Sequence, residues 1–269
     1  MVSKPLLIDH RDGVDHVTLN LPDSLNALDP ALIDDLNVYF QNLLRNRDTR
    51  VVVLKGAGAS FCAGLDLKHA MAKRAGRQEM PDVTESLDSQ RRIAEIVMLM
   101  RRCPQPIIAL VQGAAAGGGF ALALAADIRI ASTSARMNCA FIKLGLGGCD
   151  IGTSYFLPRL VGVSVASELI LTGRFIHAPR ALAVGLVSEV VEEGGLDAAA
   201  APYIEAMMMA SPVGLRLSKE CLNMAVDAGS MEAVIAMEDR NQVLCSRSED
   251  FEEGIRAFID KRKPVYVRR

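Results

Sequence analysis

Two glycine-rich stretches carry the residue types and spacing best suited to chemistry, GAGASFCAG at 56–64 and GAAAGGG at 113–119. A thioester or ester that gathers negative charge on its carbonyl oxygen is stabilised by hydrogen-bond donors fixed in advance, and backbone N–H groups in glycine turns meet that need. The triplet at 117–119 runs into an apolar helical segment, 120–126, where free amides and the helix dipole add partial positive charge. The structural alternative is that these glycines only let a helix pack closely. A nucleotide cradle does not fit: residues 117–122 lack the spaced third glycine of G-x-G-x-x-G, and no P-loop Gly-Lys-Ser/Thr occurs.

Composition narrows the class. Thirty Lys plus Arg against 32 Asp plus Glu leave a net charge of −2, which argues against nucleic acid or an anionic membrane as the main partner. Aromatics are 4% with no Trp, too few for base-stacking platforms. Six cysteines, at 62, 103, 139, 149, 221 and 245, show no C-x-x-C spacing, and with four histidines they suggest neither a metal site nor a disulfide framework. No uninterrupted apolar run reaches membrane-span length and the N-terminus lacks a signal-peptide core, so a cytoplasmic protein is expected. A chain of 269 residues has ample material for a core, and a small-molecule enzyme is the leading class.

The elements that must hold the glycine loops follow from periodicity. Residues 6–20 alternate around Asp12-Gly13 and predict a hairpin. Asp29-Pro30 then opens an amphipathic helix carrying Leu32, Ile33, Leu36, Phe40 and Leu43. The short apolar runs 51–54 and 107–111 read as strands buried on both faces, and each leads into a glycine loop. Residues 74–86 are expected to form a mobile surface loop, 87–100 a helix, and 127–131 and 137–141 further strands. Helical patterns dominate from 197 on, and a basic cluster at the C-terminus suits a phosphate or an acidic neighbour. The architecture is α/β, with a core at 1–196 and a helical C-terminal region at 197–269.

Several separated motifs in order give the chain a resemblance to the crotonase, or enoyl-CoA hydratase/isomerase, family. They are SLNALD at 24–29, GAGASFCAGLDL at 56–67, PIIALVQGAAAGGGFALALAADIRIAS at 106–132, GLGGCDIGTSYFLPRLVG at 145–162, LTGR at 171–174 and EDFEEGIRAFIDKRKP at 249–264. The resemblance implies a spiral of repeated ββα units followed by helices that build homo-trimers or hexamers. It also implies an acyl-CoA substrate, with coenzyme A as part of that substrate and no other cofactor. The thioester oxygen would be held by the N–H groups of Leu65 and Gly118, with Gly117 beside them. Leu25, Ala27, Ala63, Asp66 and Leu67 would lie near CoA, and Phe258 and Lys261 would reach its phosphates across a subunit boundary. For Lys261 the alternative is a solvated terminal charge run.

The sequence departs from the two-glutamate hydratase pattern, because Ala121 and Phe141 stand where the glutamates would and neither can accept a proton. Asp150, in Gly147-Gly148-Cys149-Asp150-Ile151-Gly152, sits in a loop similar to the family's third active-site segment. Its position is similar to that of the catalytic aspartate of dienoyl-CoA isomerases and of the nucleophilic aspartate of 4-chlorobenzoyl-CoA dehalogenases. As acid/base, Asp150 would move a proton on carbon while Leu65 and Gly118 hold the enolate. Its alternative role is to cap the helix beginning near Thr153 or to satisfy turn amides. The expected activity is enoyl-CoA hydratase/isomerase chemistry in the broad sense. Double-bond isomerisation without hydration, or acyl-CoA binding without catalysis, are the competing readings. His69 is expected at the surface, Asp127 in structural hydrogen bonds, and Cys62 and Cys149 as packing residues.

Overall fold

Asp12 and Gly13 both take positive φ, 49° and 84°, which lets β1 (Leu6–Arg11) fold back antiparallel on β2 (Val14–Leu19). The structure is a computed structural model and describes residues 4–76 and 82–266. From β2 the sheet continues in parallel through β3 (Val51–Gly56), β4 (Ile107–Val111), β6 (Ile128–Ser132) and β9 (Glu189–Val191), in the order β1-β2-β3-β4-β6-β9. A second sheet joins β5 (Ala114–Ala116), β7 (Arg136–Asn138) and β8 (Ile176–His177). Successive turns of chain place one long strand in the first sheet and one short strand in the second before a helix follows, as in β4, β5 and α4 (Gly118–Ala125). This is the crotonase-type spiral of ββα units.

The valine-rich strands are buried on both faces because successive side chains point to opposite sides. Val52, Leu54, Ile107, Ala109 and Val111 join the larger core with α1 (Pro30–Leu43), α3 (Val83–Arg102), α4 and α5 (Thr153–Thr172). Val51, Val53, Ile108 and Leu110 face the other way, onto Ala200, Tyr203, Ile204 and Met207 of α7 (Leu196–Met208). The remaining helices are α2 (Leu67–Ala75), α6 (Ala178–Ala183), α8 (Pro212–Ala225), α9 (Met231–Ser246) and α10 (Glu249–Ile259). Lys219 of α8, 4% exposed, donates to Met100 O and Gln105 O and pairs with Asp127 at 2.9 Å, tying α8 to the end of α3. Asp127 also accepts from Arg101 and from Ile107 N.

Two expectations from periodicity are corrected. The surface loop expected at 74–86 is helical at both ends. The helix α2 runs to Ala75, and α3 starts at Val83, where Asp82 accepts from Glu85 N at 2.7 Å. Residues 77–81 of that stretch lie outside the described residues. The strand expected at 137–141 ends at Asn138, and Phe141 sits instead in a 3-10 turn, Ala140–Leu144. By length and composition α5 could cross a membrane, but Gly162 (φ 77°, ψ 160°) breaks its helical path, and Leu157, Ala166 and Leu169 are buried in the core.

Candidate active site

The two glycine loops touch. Cys62 N donates to Ala114 O and Ala116 N to Cys62 O, both at 3.0 Å, so residues 61–63 add a parallel edge to β5. The contact is possible only without side chains: a Cβ on Gly119 would lie 2.0 Å from Cys62 O, and one on Gly64 (φ 92°) would lie 2.6 Å from Ala116 O. That same Gly64 position is 3.4 Å from Gly118 N. The glycines therefore do serve close packing, and the packing brings Gly64, the residue before Leu65, against Gly118.

Among the described residues, the Leu65 and Gly118 N–H groups of these loops have no backbone acceptor. Leu28 N donates to Gly64 O and Asp66 N to Leu28 O, a parallel bridge that passes over the Leu65 N–H. In α4 the first intrahelical bond is Ala121 N to Gly117 O, so the Gly118 N–H belongs to the unpaired first turn. Gly117 itself takes φ 50° and ψ −116°, a conformation that disfavours any side chain, and its N–H donates to Asn138 O. The first loop is held from behind by Asn26, fully buried, which donates to Ala57 O and Ser60 O and accepts from Leu21 N.

A cavity of about 380 Å³ opens at this junction. It is walled by Ala63, Leu65, Leu67, Gly117, Gly118, Phe141 and Asp150 from the expected set. Further walls come from Ile93 and Gln90 of α3, from Leu144, Leu146 and Ile151, and from Phe175. Among the described lining residues Asp150 is the one carboxylate, and Lys143, at the exposed rim with its Nζ 5.7 Å from the Phe175 ring centroid, is the one cation.

Asp150 does not cap α5, whose N-cap is Gly152 without a side-chain bond. Its Oδ1 accepts instead from Ile151 N at 2.8 Å and from Gln90 Nε2 at 2.5 Å, while Thr153 Oγ1 receives the Asp150 N–H. Burial pushes the carboxyl above the ordinary aspartate value, against the opposing pull of those two donors. A half-buried carboxylate that shares an apolar-walled cavity with unpaired amides has the makings of a base acting next to an oxyanion.

The structure does not bring every expected residue to the cavity. Leu25 stands behind the first loop, where its carbonyl accepts from Ala63 N, and Ala27 is buried beside it. The Asp66 carboxylate caps α2 by accepting from His69 N at 2.9 Å. His69 is exposed. Ala121 is fully buried in the core and lines no part of the cavity, whereas Phe141 packs on Gly117 and forms a wall. Phe258, 85% exposed, borders a separate cavity with Phe251, Ile255 and Tyr266, and Lys261 follows α10 with φ 52°. Within one chain, neither reaches Asp150. Cys62 is buried, with its thiol pushed up to about 12 by burial, and Cys149 is exposed. Gln90 was missed by the sequence reading; the available signal was its place three residues before Ile93, on the same face of α3.

Glycine loops that meet at the head of a short apolar helix, with a carboxylate lining the same cavity, mark an α/β spiral with one candidate site. The family model described as Enoyl-CoA hydratase/isomerase matches residues 9–269. The Mycobacterium tuberculosis protein named "Probable enoyl-CoA hydratase EchA12" is 38% identical over 268 residues, covering 97% of this chain and 92% of its own. The 1,2-epoxyphenylacetyl-CoA isomerase of Escherichia coli is 34% identical over 255 residues, covering 95% of each. An enoyl-CoA hydratase structure from Bacillus anthracis superposes with a TM-score of 0.90 at 34% identity, covering 97% of this chain and 98% of its own. The chain belongs to the enoyl-CoA hydratase/isomerase, or crotonase, family, and it is an enzyme of that family.

Proposed function

We propose that the cavity holds an acyl-CoA thioester, that the Leu65 and Gly118 N–H groups hold its carbonyl oxygen, and that Asp150 is the acid/base. Asp150 takes a proton from a carbon of the acyl chain, and the electron pair moves through the conjugated system onto the thioester oxygen. The two amides stabilise the resulting enolate, each contributing on the order of 3 kcal/mol to the transition state. Returning the proton to a different carbon shifts a double bond, with no atom gained or lost. The observation that carries this reading is a single carboxylate, among the described lining residues, that shares an apolar cavity with two residues whose amides have no hydrogen-bond partner. It favours double-bond migration over two-carboxylate hydration, because Ala121 and Phe141 offer no second proton acceptor.

The CoA portion, on this reading, lies outside the acyl cavity along Ala63, Asp66 and Leu67, near Leu25 and Ala27. Phe258 and Lys261 complete that surface from a second copy of the chain in a trimer or hexamer, and the exposure of Phe258 supports such a contact. No cofactor beyond the substrate's own CoA enters the chemistry. We place the enzyme in the cytoplasm, a reading supported by cysteines that are all free.

A panel of 2-enoyl-, 3-enoyl- and dienoyl-CoA thioesters tests the proposal with the unmodified protein and with Asp150→Asn. Turnover of at least one member that collapses in D150N, while acyl-CoA still binds, is the expected result. Binding without turnover of any member by the unmodified protein would overturn the proton-transfer role.

A further inference from the structure

Gln90 is the one side chain of α3 that reaches the carboxylate, and nothing in its own helix requires it there. Its Nε2 donates to Asp150 Oδ1 at 2.5 Å, across 60 residues of sequence, and both residues line the same cavity. The Ile151 N–H reaches the same oxygen at 2.8 Å. Both donors therefore fall on Oδ1, and among the described residues Oδ2 takes none. We propose that Gln90 is a positioning residue for the acid/base, fixing Asp150 through Oδ1 so that Oδ2 carries the mobile proton. The inference rests on the function proposed above and deepens it.

A carboxylate on a glycine-flanked loop can rotate about χ2, and two donors converging on one oxygen remove that freedom. They also make the two oxygens inequivalent: Oδ1 is engaged by two donors, and among the described residues Oδ2 is left without one. The groups that could otherwise set the charge state of Asp150 are few. On its own loop there is no other ionisable side chain but Cys149; from the 3-10 turn Lys143 lines the cavity rim; from α3 only Gln90 approaches. Burial and the two donors are the influences acting on the Asp150 carboxyl, with no charged neighbour contributing. Because both side chains are partly open to water, the bond is wet in the free enzyme and strengthens when an acyl chain displaces that water.

Three variants give the inference signs that a merely structural glutamine would not produce. Gln90→Leu removes a donor to the ionised carboxyl, so the Asp150 titration midpoint rises by roughly half to one pH unit. Gln90→Glu places a like charge there and raises it further, whereas Gln90→Lys supplies a donor with positive charge and lowers it below the unmodified value. Carbon-13 NMR of labelled aspartate carboxyls reads the midpoint directly, with the Asp150 signal identified by its loss in D150N. In parallel, the acid limb of kcat/KM moves in the same order, kcat falls about three- to tenfold in Q90L, and KM changes little. An Asp150 midpoint that is the same in all three variants overturns the inference, whatever the enzyme's reaction proves to be. Midpoints that move as expected in a protein without turnover would leave the hydrogen bond intact and sink the acid/base role instead.

Discussion

Asp150 shows how much a residue's chemistry depends on surroundings it does not itself encode. Burial raises its carboxyl, so on the proposed mechanism Asp150 is ionised only above a pH higher than for an ordinary aspartate, and the expected activity is lost as pH falls through that raised value. The expected rate profile therefore has an acid limb displaced upward from the ordinary aspartate range, measurable as kcat/KM against pH. Asp150→Asn keeps the shape and removes the base, and is expected to lower kcat by about 10²- to 10⁴-fold while acyl-CoA affinity, read by calorimetry, changes little. Equal losses in binding and turnover would point to a disrupted loop. The carboxylate was legible in the sequence through its glycine-flanked motif, but its two donors were not. Ile151 N reaches it because of a loop turn with φ 46°, and Gln90 comes from a helix 60 residues away.

At the scale of elements, the site exists because two loops can approach without side chains between them. Gly119→Ala would press a Cβ to 2.0 Å from the Cys62 carbonyl, which is backbone and has nowhere to go, and about 2–4 kcal/mol of stability is the expected loss. Gly147→Ala meets nothing within 4 Å and takes no positive φ, so it should stay within about 0.5 kcal/mol of the parent. Urea unfolding of the pair separates a packing role from a general sensitivity to alanine. Lys219→Met tests the link between α8 and α3. It leaves Asp127 with Arg101 and strips the carbonyls of Met100 and Gln105 of a buried donor, for an expected cost of about 2–4 kcal/mol in the same assay. The start of α1 was readable from Asp29, whose side chain caps it, whereas Asp82, which caps α3, fell inside the stretch read as a surface loop. The early end of β7 was not readable, because the segment through Phe141 is as apolar as a strand and only the 3-10 turn toward Gly117 distinguishes it.

For the whole molecule, the C-terminal helices carry large apolar side chains to the surface, including Leu222, Phe251, Ile255, Phe258 and Ile259. Faces of this kind are ordinarily covered by another copy. Light scattering on the purified protein is expected to return three or six times the mass of one chain. Within that assembly, Lys261→Ala should raise KM for acyl-CoA about three- to tenfold and leave kcat nearly unchanged, since the residue would meet phosphate far from the reacting carbons. A monomer with full activity would show that one chain builds the whole site. Among the described residues of the terminal charge cluster, Arg262 pairs with Glu253 and Lys263 with Glu205, which leaves Lys261 as the described member to meet a ligand.

Local patterns determined the strands buried on both faces, the glycine loops that follow them and the Asp29 cap that starts α1. Each of these is set by alternation, backbone freedom or a nearby donor, and each is complete within a few residues of chain. Only the tertiary structure decided which wall each residue joins. It sent Ala121 into the core and Phe141 to the cavity, spent Asp66 on capping α2, and placed Gln90 on Asp150. Those outcomes depend on how a helix is rotated and how far one turn of the spiral advances over the last. Such distances are fixed by packing among side chains remote in sequence, and no local period records them.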